Sequence, residues 1–67
     1  MNKEEAKTLI KALEYADNND SCKITSAYGV EYLEALKVIG YVKIEWNREL
    51  TDFGRITLSK LRADEWR

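Results

Sequence analysis

Apolar residues recur at helical spacing through the first quarter of the chain. Ala6, Leu9, Ile10, Leu13 and Ala16 fall on one side, with lysines and glutamates on the other, the pattern of an amphipathic helix. Asn2 stands three residues before Glu5, the spacing of a capping box. Asp17-Asn18-Asn19-Asp20 ends the helix, because short polar side chains compete with the helical backbone for hydrogen bonds. Cys22-Lys23-Ile24-Thr25 reads as a short strand, and Ser26 as a helix cap after it. Leu33 and Leu36 mark the core face of a further helix, closed by Gly40 as a left-handed C′ residue. Gly29 either sits inside a helix, at ~1 kcal/mol relative to alanine, or marks the turn between a one-turn helix and the longer one. The span from Ile24 to Gly40 leaves no room for two full helices, so one is expected to be a single turn or missing.

After Gly40 the period changes from helical to alternating. Val42, Ile44 and Trp46 share one face and Lys43 and Glu45 the other. Asn47-Arg48 fits a hairpin tip, Glu49-Leu50 the return, and Thr51 the cap of a last helix from Asp52. On that helix Phe53, Leu58 and Leu61 fall within one arc. Ile56, Ala63 and Trp66 fall on another, so something besides the domain's own core is expected to be covered there. Helix, short hairpin and helix in this order predict an α+β fold. The expectation is a small winged helix of three helices with a two- to three-stranded antiparallel wing, one domain over residues 1–67.

Composition narrows the function classes. With 67 residues the chain buries only ~60% of its unfolded surface, which leaves a thin stability margin. Hydrophobic residues make up 45% and charged residues 34%, as in a globular domain rather than a disordered tail. No apolar run approaches the ~18 residues of a membrane span and no signal peptide is evident, so a cytoplasmic location is expected. Cys22 is the single cysteine and histidine is absent, so neither an internal disulfide nor a zinc site is expected, and Cys22 reads as a small semi-buried thiol. No phosphate loop or nucleophile elbow occurs, and the carboxylates lie among basic residues at helix-surface spacing. An enzyme is not expected, and neither is a cofactor. The net charge of −1 conceals a polarity: residues 1–20 carry three positive and five negative groups, residues 55–67 four positive and two negative.

Two motifs, Leu33-x-x-Leu36-x-x-x-Gly40-Tyr41-Val42 and Leu50-Thr51-x-x-Gly54-Arg55, together resemble the winged helix-turn-helix domains of MarR- and PadR-like regulators over residues 22–62. The resemblance implies duplex DNA binding, with a recognition helix in the major groove and the wing beside it. Base-facing positions would be Ser26, Tyr28, Glu31, Tyr32 and Ala35; phosphate contacts would come from Lys23, Lys37, Lys43, Asn47 and Arg48. The implied protein is a small transcriptional regulator of phage or mobile-element type. It would form a homodimer through Ile56, Ala63 and Trp66.

A rival reading makes the chain a protein–protein interaction module, an adaptor or inhibitor of a larger complex, on the same scaffold. The near-neutral charge favours it, as do Glu31 and Glu34 on the would-be recognition helix and the apolar pair Val38-Ile39 before Gly40. Tyr28 and Tyr32, one turn apart, could stack on nucleic acid or roof the small core.

Overall fold

The computed structural model describes residues 2–45 and 48–64. They form four helices: α1 (Lys3–Asp17), α2 (Cys22–Tyr28), α3 (Val30–Ile39) and α4 (Asp52–Asp64). α1 begins as its sequence predicts. The Asn2 side-chain oxygen accepts from the Glu5 backbone N–H at 2.8 Å, and the Asn2 side-chain amide donates to the Glu5 carboxylate at 3.2 Å. The return half of the box thus reaches the amide of Asn2 rather than its backbone. Ala6, Leu9, Ala12, Leu13 and Ala16 form the buried stripe.

The expected strand at Cys22–Thr25 is helix instead. Ile24 is fully buried, and tertiary burial of that side chain outweighs the weak β preference of two branched residues. Ser26 consequently lies within α2 and caps nothing. Neither helix is missing or a single turn: α2 starts before Ile24, at Cys22, and runs seven residues, and its turn into the ten-residue α3 consumes a single residue. Gly29 has φ +100° and ψ 157°, a combination that only glycine adopts without strain. Gly40 closes α3 in the left-handed conformation, as its position predicts.

The α+β winged helix is not what forms. Among the described residues the molecule is all-helical, with four helices and no strand, and so without a two- to three-stranded wing. The alternating segment gives only a short antiparallel return. Val42 and Leu50 make one isolated bridge, the Lys43 N–H donates to the Glu49 carbonyl at 2.8 Å, and the Thr51 N–H donates to the Tyr41 carbonyl at 3.0 Å. Val42 and Leu50 are buried, whereas Ile44, next on the predicted face, is 62% exposed. A ribbon lengthens only where a hydrophobic face supports it, and that support stops after Val42. Trp46 and Asn47 lie outside the described residues, as does Trp66.

The return is nevertheless firmly tied. The Thr51 hydroxyl lies 2.5 Å from the Gly40 carbonyl oxygen and 3.0 Å from that of Tyr41, and its oxygen accepts from the Gly54 N–H at 2.9 Å. One side chain therefore caps α4 and fastens it to the end of α3. Glu49 performs a similar service on the opposite flank. Its carboxylate accepts from the Ser21 N–H at 2.8 Å, and its own N–H donates to the Asn19 side-chain oxygen at 3.1 Å.

The core gathers Leu9, Leu13 and Ala16 of α1, Ile24 of α2, Leu33 and Leu36 of α3, Val42 and Leu50 of the return, and Leu58 and Leu61 of α4. Leu13, Ile24, Val42 and Leu50 are its largest fully buried members, each stabilising by about 1.5–3 kcal/mol. Phe53, expected beside Leu58 and Leu61, is 52% exposed. It leaves the core arc to stack on Tyr41, ring centroids 5.0 Å apart.

Candidate protein-docking groove

α1 packs on α2 and α4, and α2 on α3, but no Cα of α1 comes within 8 Å of one in α3. A groove of about 480 Å³ lies between the two helices. One wall is the first half of α1, with Glu4, Glu5, Thr8 and Leu9. The other is α3, with Tyr32, Ala35, Leu36 and Ile39, and Tyr41 closes the end. Its volume falls within the range of sites that take ligands or anchoring side chains. Tyr41 also carries the apolar surface onward to Phe53, and Ile39 is 55% exposed at the groove's edge.

Burial acts on the groove's phenol. Desolvation pushes the Tyr32 pKa above its ordinary value, and the neighbouring Tyr28 adds to the shift. The two rings lie 5.4 Å apart, tilted by 56°, and both pack against the core. Of the two roles open to this pair, roofing the core is the one their packing fulfils.

The predicted nucleic-acid contacts do not form an unpaired basic surface. Lys23 pairs with Asp20 at 3.3 Å, Lys37 with Glu34 at 3.3 Å, Lys43 with Glu45 at 3.1 Å and Arg48 with Asp52. Each of the four described cations assigned to phosphate thus has an acid of its own chain beside it. Ser26 is exposed on α2, and Glu31, Glu34 and Ala35 are exposed on α3. Of the predicted dimer anchors, Ile56 and Ala63 are exposed on α4.

Cys22 is exposed rather than semi-buried. Its thiol donates to the Asp20 carboxylate at 3.1 Å. That hydrogen bond and the charge of Asp20 raise the thiol pKa, and the same hydrogen bond is the largest cause lowering the pKa of Asp20. No group of three or more metal-ligating side chains occurs among the described residues. No helix among them is long and apolar enough to cross a membrane.

Leu9, Thr8, Ile39 and Tyr41 were not marked as site residues by their sequence pattern. The one signal available was Val38-Ile39, an apolar pair at the end of α3 just before Gly40. The chain matches no family model, no curated protein and no solved structure.

Proposed function

We propose that the chain is a protein-docking module whose working surface is the groove between α1 and α3. The observation that carries this reading is the groove itself, an open apolar trough continuous with exposed Ile39 and Phe53. A domain of this size has little apolar surface to spare from its own core. Leaving Ile39 exposed and the Tyr32 and Tyr41 rings half-covered is costly unless a partner covers them. Val38, also on α3, is 85% exposed but does not line the groove.

A second reading, duplex DNA binding, is supported by the α2–Gly29–α3 pair. Two closely packed helices joined by a tight turn are the core of the helix-turn-helix motif, whose second helix enters the major groove. The side chains favour docking instead. α3 presents Glu31 and Glu34 outward, and the cations assigned to phosphate are internally paired. A glutamate can accept from cytosine, but without an adjacent free cation it repels the backbone.

Titration with random-sequence duplex at low and moderate salt separates the two. Docking predicts no binding by micromolar protein, together with saturable binding of an apolar fluorescent probe that Ala35→Trp abolishes. DNA binding that weakens steeply with salt, and falls further in the Lys43→Ala/Arg48→Ala variant, reverses the order of the readings.

A further inference from the structure

We infer that the groove's partner is an amphipathic helix carrying lysine or arginine beside its apolar anchors; the inference rests on the docking reading and specifies its ligand. The groove has apolar lining from Leu9, Leu36, Ile39 and Tyr41 and acids on its α1 wall, Glu4 and Glu5. On α3 Glu31, outside the lining, stands one helical turn before Ala35, which lines the groove, and is exposed. Among the described residues no lysine or arginine lines the groove. The lysines of α1 fall at positions 3, 7 and 11, a spacing that places them along the outer side of the helix, away from the buried stripe. Lys37, the cation of α3, is held by Glu34. A groove walled by two helices suits a third helix, whose side chains at i, i+3 or i+4, and i+7 can enter it. The acids of the α1 wall, with Glu31 exposed one turn from the α3 lining residue Ala35, select basic flanks and disfavour acidic ones.

Three labelled synthetic helices test this against the full chain by fluorescence anisotropy. One has leucine anchors at i, i+4 and i+7 with lysine flanks, one has the same anchors with glutamate flanks, and one is the lysine peptide with its anchors scrambled. The lysine peptide is expected to bind of the order of tenfold more tightly than the glutamate peptide, since pairing with exposed, solvent-screened acids adds only modestly to affinity. The advantage should shrink as salt rises and in the Glu4→Gln/Glu31→Gln variant. Ala35→Trp and Ile39→Asp, both at exposed positions and checked for helicity by circular dichroism, should each abolish binding. Equal affinity for the lysine and glutamate peptides overturns the charge inference and leaves the docking reading standing. Equal affinity for the scrambled lysine peptide also overturns it, by showing attraction without a groove. Failure of all three peptides to bind at millimolar concentration overturns both readings. Self-association of the chain that Ala35→Trp or Ile39→Asp disrupts makes the occupant a second copy and overturns the inferred partner.

Discussion

Gly54 lies directly beneath the backbone of Tyr41. A Cβ built on Gly54 would overlap the Tyr41 carbonyl oxygen and stand 2.7 Å from Cδ1 of Leu50. The first turn of α4 can therefore sit against the return only because residue 54 has no side chain. This is the structural content of the Leu50-Thr51-x-x-Gly54 motif: a buried leucine, a cap and a close approach.

Gly54→Ala should accordingly destabilise the fold by about 1–3 kcal/mol, the range for overpacking a tight contact. The obstacle is backbone, which cannot rotate away as a side chain can. Urea unfolding followed by circular dichroism measures the change, and a midpoint equal to wild type would show that α4 can shift without cost.

Thr51→Ala removes the α4 cap and the hydroxyl contacts to Gly40 and Tyr41 together. A loss of ~1–2 kcal/mol is expected, with Thr51→Ser recovering most of it. If serine is no better than alanine, the methyl group rather than the hydroxyl carries the contribution. The same unfolding measurement decides between them.

Gly29→Ala leaves the space around residue 29 open, since nothing lies within 4 Å of the added carbon. Its cost is conformational, about 1–3 kcal/mol for a non-glycine residue held at φ +100° and ψ 157°. Because the strain lies in the α2–α3 turn, thermal unfolding should shift downward while helicity at low temperature stays near wild type.

Arg62→Gln breaks the 2.7 Å pair with Glu14 that bridges α4 and α1. Both side chains are about half exposed, so the loss should be no more than ~1 kcal/mol and should vanish at high salt. A larger, salt-insensitive loss in unfolding experiments would mean that the arginine stem, and not its charge, covers the core.

Cys22 reacts through its thiolate. Asp20 raises the thiol pKa by hydrogen bond and by charge, so at a given pH less thiolate is present than in a free thiol. Asp20→Asn removes the charge and should move the alkylation rate–pH profile to lower pH, making modification several-fold faster near neutrality. An unchanged profile would show that the Asp20 contact does not persist in solution.

The elements governed by local rules were legible in the sequence. The α1 stripe, the Asn2 cap, the Gly40 stop and the Thr51 cap all depend on a few neighbouring residues and form where the pattern places them, except that Ala12 rather than Ile10 joins the buried stripe. What failed depended on distant packing. Ile24 and Thr25 look like a strand until the buried site that receives Ile24 is known. Val42 and Ile44 look equivalent until the core ends between them, and that difference removes the wing. Phe53 shares an arc with Leu58 and Leu61, yet the ring of Tyr41, twelve residues earlier, draws it outward. The groove was half visible: Val38 and Ile39 announced an uncovered apolar surface, but nothing local tells how far α1 stands from α3. The cations of the DNA reading do lie toward solvent, while their partners Asp20, Glu34, Glu45 and Asp52, each two to four residues away, were open to the same helix- and turn-spacing logic.

α3 enters through Gly29 and leaves through Gly40, the two glycines with φ of +100°, and is pinned by Leu33 and Leu36. A rod set by joints at both ends takes its pitch from the joints and not from whatever lines its open side. Changes at Glu31, Glu34, Ala35 or Val38 would then alter which visitor is welcomed without tilting the frame. Such a scaffold can exchange one clientele for another through a handful of surface mutations.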